Sequence, residues 1–311
     1  MGCQNNIKDS MISHDIIKTL LYFDIFHYPL NFEEITNFSI FFPDEIEKEL
    51  DILRDNDSIY KIGEYYALSN DLGIITRRIK GNKLAGKVIK NAKIISYFIS
   101  QFPFVRGVFV SGSLSKGFFT KNDDIDFFIL TKNNRLWVSR TLMIAFKKVF
   151  LLNSKKYFCV NYFKSTNALE IEEQNRFTAT ELATLIPFYC NGDLNKFYRK
   201  NEWVLKYFPN YLAKDNLNKP LKNSILKIFF EFLLQGTLGD YLETYCKILT
   251  VNHQKKKFRK MNPNDFKIAF KGTKTTSKHH PDNHQKKVIS LLNNKISAFN
   301  KEHFFEIELE S

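Results

Sequence analysis

Cysteine is scarce in this chain of 311 residues, which has only Cys3, Cys159, Cys190 and Cys246. The four are widely spaced, and neither a CxxC pair nor a Cys/His spacing typical of zinc ligands is present. This pattern argues against a disulfide framework and against a zinc knuckle, and it favours a reducing compartment. We therefore expect a cytoplasmic protein.

Long uncharged apolar runs are also missing, although a transmembrane helix needs about twenty such residues. The most apolar segment, ILKIFFEFLLQGTLGDYLETYCKIL, includes Lys227, Glu231, Asp240 and Glu243 and predicts amphipathic or buried helices. The first ten residues contain no apolar signal region. The sequence thus predicts a soluble protein without a membrane partner.

Acidic residues are the minority charge. Lys and Arg total 46 against 33 Asp and Glu, which gives a formal net charge of +13. Such an excess favours contact with polyanions, which include nucleotides, nucleic acid and anionic lipid, but it does not choose among them. The length favours two or three modules over a single core.

Residues 12 to 70 are predicted to form a small unit of their own. Helical apolar spacing occurs in IIKTLLYFDIF, FEEITNF and PDEIEKELDILRD, and IYKIGEYYAL then predicts two short strands around Gly63-Glu64. Three helices followed by a hairpin is the order of a winged helix-turn-helix. The charged residues of the second and third helices are mostly Glu and Asp, which would repel the phosphates of a nucleic acid. The unit is therefore predicted either to bind nucleic acid or to have a structural or protein-contact role.

The remaining sequence alternates between helical and strand patterns. A long helix carries seven basic and no acidic residues between Arg77 and Lys93. VRGVFV, IDFFILT and YFCVNYF predict strands, with a helix between the last two, and together they indicate an α/β core with mixed strands. Helical patterns follow, and His253 to Lys278, with nine basic residues and one acidic, is expected to be loop-rich.

These patterns divide the chain into five predicted segments. They are a winged-helix-like unit over 12–70, a connecting basic helix over 71–102, an α/β core over 103–166, a helical region over 167–252 and a basic C-terminal segment over 253–311.

The residues that carry chemistry lie in VSGSLSKGFFTKNDDIDFFIL. Asp124 and Asp126 are two apart in a strand-like run, so both side chains are expected on one face. Paired carboxylates can share Mg²⁺, which prefers oxygen ligands and binds together with substrate phosphates. Gly112-Ser113 follows the strand VRGVFV, and a glycine there lets the backbone approach a phosphate to which the serine hydroxyl can donate.

This stretch resembles a known family. GSLSKG at 112–117 followed by DDIDF at 123–127 is similar to the GS…DxD signature of the DNA polymerase β-like nucleotidyltransferases, and it looks closest to the small bacterial type. The resemblance implies an α/β (α+β) fold and the transfer of a nucleoside monophosphate from an NTP to an acceptor hydroxyl with Mg²⁺. It assigns metal binding and catalysis to Asp124 and Asp126, and nucleotide binding to Gly112, Ser113 and Lys116.

The sequence departs from the family pattern at two positions. Lys116 stands where the small bacterial type usually has Arg, which removes bidentate geometry but keeps the charge. The third strand, YFCVNYFKS, offers Asn161 where the family has a carboxylate, and an amide cannot take a proton.

The missing acid leaves several interpretations open. Glu170, Glu172 or Glu181 could substitute from another element, or the acceptor could bring its own activated group. The alternative function is a catalytically weakened nucleotide- or nucleic-acid-binding regulatory protein of the same fold. The acceptor can be a small molecule, RNA or a protein. Arg106, Arg140 and Lys164 flank the same elements and are further candidates for neutralising triphosphate charge.

Overall fold

The computed structural model describes residues 2–154, 156–190, 192, 194–211 and 222–310, with side chains from residue 10 onward. The N-terminal part contains α1 (Gly2–Asp24), β1 (Leu30–Asn31), α2 (Phe32–Asn37), α3 (Pro43–Asp55), β2 (Tyr60–Ile62) and β3 (Tyr65–Ala67). The three strands form an antiparallel sheet in the order β1-β3-β2. This element order is the one expected for a winged helix, which remains our interpretation of the unit.

Local sequence explains where these elements begin. The Asn31 side chain accepts a hydrogen bond from the Glu34 backbone N–H at 2.8 Å, and the Glu34 carboxylate accepts from the Asn31 N–H at 3.1 Å. This reciprocal capping box satisfies two N–H groups that would lack helical partners. Pro43 occupies the first turn of α3, where its missing N–H costs nothing.

A long helix, α4 (Leu72–Ser100), connects this unit to the main sheet. The Asp71 carboxylate caps it by accepting from the Gly73 N–H at 2.7 Å. Ala85, Val88, Ala92 and Ile99 are buried in the core cluster that covers one face of the sheet. The helix therefore lies within the predicted connecting segment 71–102.

The main sheet is mixed and has the strand order β7-β4-β5-β6-β8. In chain order the elements are β4 (Val105–Ser111), α5 (Gly112–Ser115), β5 (Asp126–Thr131), α6 (Leu136–Phe150), β6 (Cys159–Ser165), α7 (Arg176–Ala183) and β7 (Ile186–Cys190). Strand β5 pairs with β4 antiparallel and with β6 parallel. The predicted α/β fold with a mixed sheet is confirmed.

The C-terminal part contains α8 (Leu194–Lys200), a 3₁₀ turn (Glu202–Lys206), α9 (Ile225–Leu233), α10 (Thr237–Lys257), α11 (Pro263–Ala269), β8 (Thr276–Lys278) and α12 (His284–His303). Helix α12 buries Val288, Leu292, Ile296 and Phe299 in the core cluster that also includes α1. The end of the chain thus packs against its beginning.

Two strands of the sheet lie outside the segment 103–166 in which the strands were expected. Strand β7 falls within the predicted helical region 167–252, of which residues 191, 193 and 212–221 lie outside the described part. Its five residues are all buried, and a short continuous apolar run cannot be distinguished from a buried helix by periodicity. Strand β8 pairs antiparallel with β6 and consists of Thr276, Ser277 and Lys278, which carry no apolar signal.

The loop-rich expectation for 253–278 was also partly wrong. The last turn of α10, all of α11 and strand β8 lie in that stretch. Lys271 in its middle pairs with Glu172 at 2.7 Å and with Glu173 at 3.1 Å. Tertiary pairing with distant acidic residues therefore orders a segment whose local composition is typical of loops.

The sheet separates two apolar clusters. Phe109, Phe128 and Leu130 belong to the cluster shared with α1 and α12, whereas Phe127 and Ile129 belong to the cluster shared with α4 and α6. Successive residues of β5 thus face opposite layers, as pleating requires. Asp126 is the first residue of β5, so the candidate site lies at the N-terminal end of this strand.

Candidate functional site

Gly112 forms the bend between β4 and α5 and lies directly against Asp126. Its φ of +68° is a left-handed backbone conformation that residues with a side chain rarely adopt. A Cβ atom placed on Gly112 would lie 2.7 Å from Oδ2 of Asp126, which is closer than any relaxed contact. The glycine thus allows both the backbone turn and the close approach of the carboxylate.

The loop after the bend is closed by Asp123. Its Oδ2 accepts from the Thr120 backbone N–H at 2.8 Å and from the Ser113 hydroxyl at 3.4 Å. The buried Ser115 hydroxyl donates to the Gly112 carbonyl at 2.9 Å and lies 3.2 Å from the Thr184 hydroxyl. The first of the three aspartates therefore has a structural role in this loop, and it positions Ser113.

Asp124 lies just before the strand that begins at Asp126, although both were expected within the strand. The backbone is nevertheless extended between them. The Ile125 N–H donates to the Lys156 carbonyl at 2.9 Å, and the Ile125 carbonyl accepts from the Cys159 N–H at 3.2 Å. Ile125 is buried while both aspartates are half-buried, so the alternation between core and site is kept.

The neighbouring strand places two polar side chains beside Asp126. Cys159 is the register partner of Asp126 in the parallel pair β5–β6. Asn161 donates from Nδ2 to Oδ1 of Asp126 at 3.0 Å, and the same Nδ2 lies 3.6 Å from the Cys159 Sγ. The structure thus brings Asn161, the third-strand candidate, next to the second aspartate.

Burial raises the pKa of Asp126 to about 6, because the charged form loses hydration. Hydrogen bonds from Cys159 and Asn161 lower this pKa, whereas the negative charges of Glu181 and Asp124 raise it further. Burial and the charge of Asp126 also raise the pKa of the Cys159 thiol, so this cysteine stays protonated at neutral pH. The site concentrates negative charge that a cation would relieve.

Lys116 and Glu181 form an ion pair at the edge of the bend. The Lys116 ammonium donates to Glu181 Oε1 at 2.7 Å and to the Gly112 carbonyl at 3.1 Å. Of the three acids considered as substitutes for the third carboxylate, Glu181 acts electrostatically on Asp126. Glu172 pairs with Lys271, and Glu170 lies 3.5 Å from the Gln174 amide.

The N-terminal unit touches this loop. The Tyr28 hydroxyl donates to the Lys116 carbonyl at 2.5 Å and lies 3.2 Å from Oε1 of Glu34. The Arg78 guanidinium stacks on the Tyr28 ring, 3.6 Å from its centroid, and pairs with Glu34 at 2.6 Å. A buried cation, an aromatic ring and a carboxylate thus support the backbone of Lys116 from the side of α2 and α4.

The further basic candidates have partners away from the bend. Arg106 binds Glu231 through two hydrogen bonds of 2.9 and 2.8 Å. Lys164 is buried and donates to the Thr276 hydroxyl at 3.1 Å, while Arg140 lies over the Trp137 ring at 5.7 Å. These contacts make the three residues parts of the scaffold.

The donor set fits a metal ion that is shared with a ligand. Within the described part of the chain, no group of three or more His, Cys, Asp and Glu side chains is arranged to hold a metal ion by itself. Asp124 and Asp126 supply carboxylate oxygens, and Mg²⁺ typically takes one or two carboxylates while substrate phosphates and water complete its shell. The residues present are therefore compatible with Mg²⁺ bound together with a polyphosphate.

Comparison with known families gives a match over part of the chain. Residues 92–209 match the family model described as "Nucleotidyltransferase domain". The match extends from the second half of α4 past β7, so it contains the bend, both aspartates and the third strand. It confirms, for this part of the chain, the resemblance to the polymerase β-like nucleotidyltransferase superfamily, whose members commonly use divalent metals.

Comparison with individual proteins adds little. Over 73 residues the chain is 37% identical to the "Non-toxic nonhemagglutinin type A" of Clostridium botulinum (strain Kyoto / Type A2). That alignment covers 23% of this chain and 6% of the other protein. No solved structure matches the chain. Among the described helices, none combines the length and the apolar character needed to cross a bilayer.

Two residues of the site were not singled out in the sequence. Cys159 could have been found from the alternation Cys159-Val160-Asn161, which places it on the same face as Asn161. Glu181 was one of three candidates, and nothing local distinguishes it, because its partner Lys116 lies 65 residues earlier in the chain.

Proposed function

We propose that this protein is a Mg²⁺-dependent nucleotidyltransferase that transfers a nucleoside monophosphate from an NTP to the hydroxyl of an acceptor. The observation that carries the proposal is the contact between the bend and the strand: Gly112 is left-handed, and its Cα hydrogen faces Oδ2 of Asp126. A phosphate at the bend would therefore lie beside the carboxylate that attracts its metal ion.

Each residue of the site has an assigned role in this proposal. Asp124 and Asp126 hold Mg²⁺, which when bound neutralises charge on the phosphates. The backbone of Gly112, the hydroxyl of Ser113 and the ammonium of Lys116 bind the triphosphate. The ammonium has three N–H donors, and the hydrogen bonds to Gly112 and Glu181 use two of them.

The reaction exchanges one phosphorus–oxygen bond for another. The acceptor oxygen bonds to the α-phosphorus, the bond from that phosphorus to the bridging oxygen breaks, and pyrophosphate leaves. The hydroxyl proton goes to a carboxylate of the site. We assign this role to Glu181, because Asn161 cannot take a proton and Glu181 is close enough to raise the pKa of Asp126.

The test is a transfer assay with the full chain. Purified protein, Mg²⁺ and NTPs labelled at the α-phosphate are incubated with fractionated cell extract, and labelled products are separated. We expect transfer by the wild type and none by Asp126→Asn, which keeps the size of the side chain and removes its charge. Asp282→Asn, at a carboxylate that is 67% exposed, is the matched control. Equal transfer by Asp126→Asn and wild type would refute the assignment.

A second candidate function rests on the hydrogen bond between Asn161 and Asp126. An amide at this position stabilises the ionised aspartate without adding a ligand charge, which suits a protein that binds NTP and no longer turns it over. Titration calorimetry with a non-hydrolysable NTP, with and without Mg²⁺, tests binding apart from catalysis. Tight, Mg²⁺-dependent binding without any transfer in the extract assay would favour this regulatory function.

We also propose a polyanionic acceptor and a cytoplasmic location. Lys80, Lys83, Lys87, Lys90 and Lys93 are exposed along α4, whose Gly81 packs against Phe118 in the loop after the bend. A row of exposed cations beside the site supports a polyanionic acceptor such as RNA, and a steep salt dependence of binding would be its signature. The cysteine content favours the cytoplasm.

A further inference from the structure

Helix α9 has its charged residues on the inside. The Lys227 ammonium is buried and donates to the carbonyls of Ser100 and Val105 at 2.7 and 3.0 Å. Glu231, one turn later, accepts from the Phe104 N–H at 2.7 Å and binds Arg106. These polar contacts fix which face of α9 points toward the protein.

The opposite face of α9 is apolar and exposed. Its outward side chains are Ile225, Leu226, Ile228, Phe229, Phe230, Phe232 and Leu233, with exposed fractions from 41% for Phe230 to 85% for Ile225. A soluble helix normally shows the reverse arrangement, with apolar residues toward the core. Since the inward contacts are specific, the exposed apolar face is a feature of the folded protein.

Helix α10, which follows after three residues, carries an apolar stripe. Leu238, Tyr241, Tyr245, Ile248 and Leu249 are all about half exposed or more. At 100° per residue these five side chains lie within about 100° of one another around the helix axis. The first four are spaced by three, four and three residues, which is typical of the seam along which one helix packs on another.

We infer that α9 and the stripe of α10 form the interface through which two copies of this chain associate. An aromatic side chain offers about 150–250 Å², so at the observed exposed fractions the five aromatic residues present about 400–700 Å², and the seven Ile and Leu residues bring the total to on the order of 1,000 Å². The largest apolar patch of a typical monomer is about 300–600 Å², whereas a stable interface buries about 800 Å² per partner. The area is therefore sufficient for a dimer.

Charge favours a second copy over a membrane or a nucleic acid. Residues 222–254, which contain all twelve apolar side chains, carry three Lys and three acidic residues and are neutral in a chain of net charge +13, while Lys255, Lys256 and Lys257 follow in the last turn of α10. Interfacial membrane helices have Lys or Arg along their polar face, but the only Lys of α9 is buried against backbone carbonyls. Two copies can approach through a neutral apolar surface without the repulsion that their other faces would cause.

The test measures the mass of the full chain in solution. Sedimentation equilibrium between 1 and 100 µM is applied to wild type, Phe229→Asp, Phe232→Asp and Phe42→Asp. Phe42 is the matched control, because it is 72% exposed against 73% for Phe232 and lies at the N-cap of α3, where Asp is a favoured residue. Circular dichroism confirms that each variant is folded.

We expect a dimer for wild type and Phe42→Asp, and at least a hundredfold weaker association for both α9 variants. A wild-type monomer at 100 µM, or dimers of undiminished affinity in both α9 variants, would overturn the inference. In that case flotation with vesicles of anionic phospholipid distinguishes a membrane as the occupant. Nucleotide transfer is not part of this readout, so the inference fails or holds independently of the proposed function.

Discussion

Substituting Gly112 by alanine tests whether the bend and the strand form one site. A left-handed backbone costs a residue with a Cβ about 1–2 kcal/mol. The new methyl group would also lie 2.7 Å from Oδ2 and 3.5 Å from Cγ of Asp126, so the carboxylate must move. Gly117 is the matched control, because its φ is +74° and nothing lies within 4 Å of a Cβ placed there.

The two variants therefore share the backbone strain and differ in the contact. We expect Gly117→Ala to lose about 1–2 kcal/mol of unfolding free energy and Gly112→Ala to lose about 1–2 kcal/mol more, which is typical of an overpacked contact. Urea unfolding followed by circular dichroism measures both values. Calorimetry with a non-hydrolysable NTP and Mg²⁺ should show binding lost at least tenfold in Gly112→Ala and retained in Gly117→Ala. Equal stability losses together with equal nucleotide binding would refute the reasoning.

Two further predictions concern buried polar groups. Burial lowers the pKa of Lys227 from its ordinary 10.5 to about 8, so between these pH values the unfolded chain binds more protons than the folded protein. The free energy of unfolding should therefore rise with pH across this window, by up to about 3 kcal/mol. In urea unfolding measured at a series of pH values, Lys227→Met should lack this rise, whereas Lys222→Met, at an exposed lysine, should keep it. Asn161→Asp removes a hydrogen bond to Asp126 and adds a like charge, so without metal its free energy of unfolding should be about 1–3 kcal/mol lower than that of wild type. Mg²⁺ should raise the melting temperature of this variant more than that of wild type. An equal Mg²⁺ effect on both proteins would contradict a metal at this site.

The sequence predicted the parts of the site that are close in the chain. Gly112, Ser113, Asp124 and Asp126 lie within fifteen residues, and the alternation of apolar residues around them fixes which side chains share a face. Asn161 lies in β6, and the sequence of this third strand has a clear strand pattern of its own. The parallel register then brings it to Asp126, as the hydrogen bond of 3.0 Å shows.

The parts that could not be predicted depend on tertiary contacts between distant segments. Strand β8 has no apolar residue to mark it, and β7 is a buried run whose length fits a strand or a helix turn. The sequence of this segment predicts amphipathic or buried helices, and only the contacts of Lys227 and Glu231 with the backbone of residues 100–105 show that the apolar face of α9 points outward. A periodic pattern shows that a helix has an apolar and a polar face, but it does not show which face is turned toward the protein.

The Lys116–Glu181 ion pair involves both departures from the family pattern, because Lys116 replaces an arginine and Glu181 is the candidate for the missing third acid. A lysine is a compact charge that can exchange partners, whereas an arginine would hold one carboxylate with two parallel hydrogen bonds. In this structure the ammonium holds Glu181 beside Gly112, near enough for the glutamate to act on Asp126. If an incoming triphosphate attracts the ammonium, Glu181 is released as a carboxylate next to the aspartates. The two departures from the family pattern would then compensate each other, because the lysine proposed to bind the phosphate would hold, until the nucleotide arrives, the acid that the third strand lacks.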